Sequence, residues 1–378
     1  MTNYVLTSDI YKGYKHAGPK AKSDINQFLG EVGYQILDLD LPIKRIQKLG
    51  YRIFKLPHLF KNKNADKIIF QYPMYTVFLT KAIIKEVRRQ TNAKLIFVIH
   101  DYEAIRKYKG DQKFFKDEVA IFNAADCLIV HSQAMKDKMR QNGVTTPMVI
   151  LGAFDYYNPQ KLVENHEYHQ SICFAGNLEK SSFLTKLKLQ HSHAYLFGMD
   201  PAPQYPANIS YEGLYQAEEL PKYLKGDFGL VWDGTSLDGN GGIYADYQHY
   251  NAPHKTSLYL SSGMPVIVWN QAAISKFVLD EHVGIAVESL ENLDETLQNI
   301  SADEYFELQA NAQKLAAKLR NGMMIKNAIH QAEEIIDQNG VKTKYSSALI
   351  FCKVSSRFSR LSTAIPTCSS RTNLLIAA

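Results

Sequence analysis

Twelve short runs of β-branched and aromatic residues punctuate the first 290 positions, and most are continuously apolar rather than alternating. In the first half they are Tyr4–Thr7, Gln35–Leu39, Lys67–Gln71, Lys94–Ile99, Cys127–Val130 and Met148–Leu151. In the second they are Ser171–Phe174, Ala194–Phe197, Ile209–Tyr211, Phe228–Trp232, Pro265–Trp269 and Val283–Val287. Strands that are apolar on both faces are those of a parallel sheet covered by helices on each side. Helical spacing between the first six runs predicts βαβ units. A polar, aromatic stretch at 156–170 interrupts the series, and from Leu290 to Ile336 the pattern is wholly helical.

The pattern predicts an N-terminal lobe over 1–155, a linker over 156–170, a C-terminal lobe with terminal helices over 171–338, and an atypical tail over 339–378. A chain of 378 residues supports two such cores. The tail is rich in Ser and has no acid, which predicts disorder or a fused end. It also carries the net charge of +5: Lys342, Lys344, Lys353, Arg357, Arg360 and Arg371 lie beyond the last acid, Asp337. Residues 1–341 are therefore close to neutral. No basic face interleaved with aromatics marks a nucleic-acid partner. The first ten residues lack a basic and apolar leader, and no run is long enough for a membrane span, so a cytoplasmic chain is expected. The four cysteines show no C-x-x-C spacing, and Cys127 and Cys173 sit in apolar strand-like runs, so buried thiols rather than metal ligands or disulfides are expected.

Candidate chemistry narrows quickly. There is no G-x-x-x-x-G-K-[ST], no G-x-G-x-x-G after the first strand, and no H-E-x-x-H. Asp38-Leu-Asp40 spells D-x-D but reads as strand-end solvation, and no histidine pair has an evident third ligand, so no metal is expected. YNAPHKTSLYLSSGMPVIVW at 250–269 is more informative. Pro253 suits the first turn of a short helix, whose opening N–H groups favour an anion. Lys255 adds a cation, and Asn251 and His254 add donors. A capped surface helix would show the same residues. Gly176, Asn177 and Lys180 follow the seventh strand, where a phosphate turn and a plain solvated turn are equally compatible. In the first half, Gly13 and Gly18 predict a loop near the cleft. His100-Asp101 and His131-Ser132 end strands, where either pair offers general-base chemistry or a satisfied structural histidine.

With these residues assembled, the chain resembles GT-B glycosyltransferases. Phe174–Lys180, Asn251–Lys255 and Leu258–Trp269 are most similar to the bacterial group of glucosyltransferase 3 and β-1,6-galactofuranosyltransferases, over residues 1–338. The resemblance implies two Rossmann-like α/β lobes around a cleft and hexose transfer, of glucose or galactofuranose, from a UDP-sugar to a glycan or glycoprotein acceptor of the cell surface. It implies no cofactor and no metal. Lys180, Asn251 and Lys255 would contact diphosphate or ribose, Tyr211 or Tyr215 would lie by the nucleotide, and the loop around Gly18 would approach the sugar phosphate. Asp101 or His16 would be the base of an inverting reaction. Homo-oligomers and attachment to the inner membrane face through a lipid-linked acceptor are compatible with it. One departure is Leu258, where many GT-B enzymes place a ribose-binding Glu. Other readings of the same lobes are a catalytically silent partner of another transferase, or a sugar-nucleotide epimerase.

Overall fold

The protein is described from a computed structural model, which covers residues 2–8, 17–42, 44–74, 76–239, 241 and 245–338. The expected tail, the loop carrying Gly13, and His16 lie outside the described residues. Two parallel sheets of six strands dominate the rest. The first has the order β2-β1-β3-β4-β5-β6, with β1 Thr2–Thr7, β2 Gln35–Asp38, β3 Ala65–Tyr72, β4 Lys94–Ile99, β5 Cys127–Val130 and β6 Met148–Ile150. The second has the order β12-β11-β10-β7-β8-β9, with β7 Ser171–Ala175, β8 His193–Phe197, β9 Ile209–Gly213, β10 Phe228–Val231, β11 Val266–Trp269 and β12 Gly284–Val287.

Each sheet reverses direction once. In the first, the chain lays β2 on one side of β1 and returns to place β3 on the other. In the second, β8 and β9 extend from β7 before β10 pairs on its opposite side. Open α/β sheets bind ligands beyond the carboxyl ends of the strands at such a reversal. The strands β4, β5, β10 and β11 are almost entirely buried. Full burial of each Val, Leu or Ile is worth roughly 1.5–3 kcal/mol, which explains their unbroken apolar runs.

The crossovers of the two sheets differ. Helices Ala17–Glu31, Val77–Gln90, Gln112–Phe122 and Gln133–Gln141 cover the first sheet. Between β7 and β8 there is only the 3-10 turn Ser182–Thr185, so the second half is more loop-built than its strand pattern suggests. Helix Ala302–Arg320 begins with a capping box between Ser301 and Glu304. Residues 323–338 continue as a helix. No regular element forms between Ile150 and Ser171.

Side chains stitch the first sheet's residues to those of the second half. The Asp155 carboxylate accepts from the N–H groups of Met324 (3.0 Å) and Ile325 (2.7 Å), capping the helix that starts at 323. A Cβ on Gly322, at φ +69°, would stand 2.4 Å from the Phe28 ring, so only glycine allows this close approach. Residues 245–252 dock on the first sheet. The Tyr247 hydroxyl accepts from Tyr102 N–H (2.8 Å), Ser132 Oγ donates to Tyr250 O (2.7 Å), and Ala252 N–H donates to His131 Nδ1 (3.0 Å). Tyr247, 3% exposed, completes the core of the first sheet.

Candidate active site

The reversal in the second sheet brings β7 and β10 side by side, so the residues that follow them become neighbours. After β7 comes Gly176. A Cβ there would lie 4.0 Å from Lys255 Nζ, and Gly176 N–H donates to Phe197 O (3.0 Å). Gly198, at φ +143°, approaches so closely that a Cβ would stand 1.7 Å from Gly176 O. The Tyr211 hydroxyl donates to Gly198 O (3.0 Å). Tyr211, Gly198, Gly176 and Lys255 thus form a continuous series.

Lys255 is not a free cation. Its Nζ donates to Trp232 O (2.8 Å) and pairs with the Asp233 carboxylate (2.8 Å), over the Phe174 ring at 4.8 Å. Asp233 follows β10 and is bracketed by Gln248, whose Oε1 accepts from Asp233 N–H and whose Nε2 donates to Asp233 O. The sequence reading missed Asp233. Its signal was the one that singled out Asp101, a carboxylate just beyond a buried strand.

Helix His254–Ser261 begins beside this pair. Pro253 is its N-cap, just before the first turn rather than within it, and no side chain caps the opening N–H groups. Four polar atoms in this stretch are shut off from solvent with no hydrogen-bond partner among the described residues: Asn251 Oδ1, His254 Nε2, Thr256 Oγ1 and Ser257 Oγ. Each such group costs about 1–3 kcal/mol unless a ligand or water satisfies it. His254 was expected as a donor beside a cation. Burial, with the Lys20 charge second, holds it neutral with a pKa down at about 3. Its ring packs against Tyr156 at 5.0 Å and Phe154 at 6.1 Å, so it adds shape and one N–H rather than charge.

The other candidates occupy varied settings. The Asn177 side chain accepts from Lys180 N–H (2.9 Å) and donates to Asp200 (3.3 Å), holding its own turn. Lys180 is exposed at the end of that turn. Tyr215 stacks on Tyr223, centroids 3.9 Å apart, and its hydroxyl donates to Glu212 O (3.2 Å). Leu258, 5% exposed, belongs to the core of the second sheet, so a ribose-binding carboxylate at that position would be buried in apolar surroundings. Gly18 lies in the first turn of helix Ala17–Glu31 rather than in a loop.

In the first sheet, Asp101 follows β4. Its carboxylate is 3.1 Å from Arg106 and within hydrogen-bond reach of the Tyr247 hydroxyl. Burial raises its pKa to about 7 against the pull of Arg106, which poises it for proton transfer near neutrality. Two neighbouring histidines are structural. His131 donates from Nε2 to Ile99 O (2.8 Å) and accepts at Nδ1 from Ala252, which fixes its tautomer. His100 donates from Nε2 to Gln71 Oε1 (2.9 Å), because Gln71 Nε2 already donates to Asn26 and Lys22. Burial holds His131 neutral, down at about 4, and pushes His100 well below the usual histidine range. A buried charge pair, Lys20 with Asp24, joins helix Ala17–Glu31 to residue 157: Lys20 Nζ donates to Tyr157 O (3.0 Å) and Asp24 accepts from Tyr157 N–H (3.1 Å).

Comparison with known proteins matches this arrangement to one family. Residues 3–153 match the family described as "Glucosyltransferase 3-like, N-terminal domain", and residues 172–332 match "Glucosyltransferase 3-like, C-terminal domain". The β-1,6-galactofuranosyltransferase WbbI of Escherichia coli K12 is 27% identical over 338 residues, covering 87% of this chain and 97% of its own length. Glucosyltransferase 3 of Streptococcus gordonii is 26% identical over 279 residues, covering 71% of this chain and 79% of its own. An E. coli structure described as trehalose-6-phosphate bound with UDP-2-fluoro glucose superposes with a TM-score of 0.56 at 8% identity, covering 88% of this chain and 99% of that one. That likeness concerns the fold. With both halves matched, the chain belongs to the glucosyltransferase 3-like family of GT-B glycosyltransferases.

Proposed function

We propose that the protein transfers a hexose, glucose or galactofuranose, from a UDP-sugar to a glycan acceptor of a cell-surface polysaccharide or glycoprotein, without a bound metal. The observation that carries this reading is the meeting of Gly176, Lys255 and Asp233 at the reversal of the second sheet, beside the uncapped start of helix His254–Ser261. The glycine admits a ligand's approach to the backbone, and the helix start and Lys255 offer positive charge to a diphosphate. The same charge would stabilise departing UDP. Asp233 would face the hydroxyls of the sugar or ribose, a role that Leu258 is unable to fill. The relatives' names support a hexose, and the superposed structure's UDP-sugar supports the donor class.

For a transfer with inversion, Asp101 is the base, since it follows a strand of the acceptor lobe and titrates near pH 7. The anomeric configuration of the product assigns the course. Calorimetric titration with UDP, followed by UDP release with and without an acceptor glycan over a panel of UDP-sugars, tests the whole reading. UDP binding and acceptor-dependent release with an unchanged rate in EDTA are expected. Absence of UDP binding overturns the donor, binding without acceptor-dependent release overturns transfer, and loss of the rate in EDTA overturns the metal-free reading.

A further inference from the structure

Between Asp40 and Asp66 the chain has no acidic residue, while Lys44, Arg45, Lys48, Arg52, Lys55, Lys61 and Lys63 supply seven cations. Much of this stretch is one helical run: Arg45–Gly50, a π-helical turn Tyr51–Lys55, and Leu56–Phe60. Its last part is anchored by buried Leu56 and Phe60, and its first part buries no side chain. Yet the outward residues are large and apolar. Ile46 is 86% exposed, Leu49 51%, Ile53 52% and Phe54 69%.

Ile46, Leu49 and Ile53 recur at i, i+3 and i+7 and so share a face, while Arg45, Lys48 and Arg52 follow the same rhythm one position earlier, along its flank. Phe78, 42% exposed, extends the apolar surface, with the Arg52 guanidinium 5.1 Å from its ring centroid. Contiguous exposed apolar surface marks an interaction site. A basic flank beside an apolar face is the signature of a helix lying in a membrane interface.

We propose that the helical run 45–60 docks the first lobe onto an anionic phospholipid bilayer. Charge complementarity selects this occupant: a second copy meeting the same face would oppose cations with cations, whereas anionic headgroups neutralise them as the apolar face enters the acyl boundary. Among the described residues no helix is long and apolar enough to cross a membrane, so the contact is peripheral. The inference deepens the acceptor side of the proposed function. Beside this helix a cavity of about 470 Å³, lined in part by Asp38, Asp40, Tyr51, Phe54 and His58, lies beyond the carboxyl end of β2, with carboxylates and rings suited to sugar hydroxyls and sugar faces. A glycan carried on a membrane lipid would reach the protein from this side.

The test is sedimentation of the full chain with vesicles of phosphatidylcholine, with and without phosphatidylglycerol. Binding to the phosphatidylglycerol vesicles, little to phosphatidylcholine alone, and release by high salt are expected. Each basic residue at an anionic surface strengthens binding about fivefold, so Lys44→Glu/Lys48→Glu/Arg52→Glu should weaken it by at least ~100-fold. Ile46→Ser/Phe54→Ser should also release the protein, at unchanged charge. Circular dichroism verifies that both variants fold, and donor is omitted, so the outcome is independent of the UDP-sugar reading. Failure of the wild type to sediment with phosphatidylglycerol vesicles overturns the proposal, as does equal binding by the folded variants. A lipid-free dimer that Ile46→Ser/Phe54→Ser dissolves assigns the face to a second copy and overturns it too.

Discussion

Lys255 and Asp233 form one unit, and their substitutions should act in opposite directions. With the diphosphate held as proposed, Lys255→Ala removes its cation and leaves the Asp233 carboxylate unopposed, so UDP binding should weaken by at least the roughly 1.5–3 kcal/mol of a charge-assisted contact. Asp233→Asn frees the ammonium, and calorimetry should show UDP binding tighter by about fivefold while sugar transfer slows. Asp101 belongs to the same scale. Its carboxylate acts as a base when deprotonated, and its pKa is raised to about 7. The rate of an inverting transfer should therefore rise with pH up to about 7 and level off above it, and Asp101→Asn should abolish that rise together with most of the rate. Lys255 was visible in the sequence because a lysine in the first turn of a helix is unusual enough to notice. Its neutralisation by Asp233 was not, because 22 positions separate them and only the packing of helix His254–Ser261 against β10 brings them together.

Elements divide by how they are buried. All twelve strands could be read from their apolar runs, and Lys94–Ile99 and Cys127–Val130 agree to the residue, because a strand covered on both faces leaves no polar position to blur its ends. The start of helix His254–Ser261 was displaced by one residue, since proline serves equally before and within a first turn. The helix over 45–60 was not singled out. Its apolar residues face outward, so periodicity there reports a surface rather than a core. Caps offer a direct measure of element stability. Asp155→Ala strips two N–H groups at the start of the 323 helix of their acceptor and should lower unfolding free energy by about 1–2 kcal/mol in denaturant titration.

At the scale of the whole molecule, burial sets an acid limit. His131 is held neutral, down at about 4, so on acidification an unfolded chain takes up a proton at about 6.5 that the folded one refuses. Its contribution is complete above about pH 6.5 and is lost as pH falls towards 4. Buried carboxyls oppose this, because burial raises Asp24 to about 6 and Glu118 and Asp155 to about 7, and these groups favour the fold as pH falls. A variant isolates the histidine. The stability advantage of the wild type over His131→Asn should shrink by about 2 kcal/mol between pH 7 and pH 5, measured by chemical unfolding at each pH.

Tyr247 closes the core of the first sheet although it lies in the second half of the chain, and its neighbours Gln248 and Ala252 hold Asp233 and His131. The two halves of this chain are therefore not independent modules. A hybrid chain joined in the 156–170 stretch, with its second half taken from a relative, would carry a foreign plug in the core of its first half. To exchange second halves between relatives, residues 245–252 would have to travel with the first half, as a patch grafted into the second.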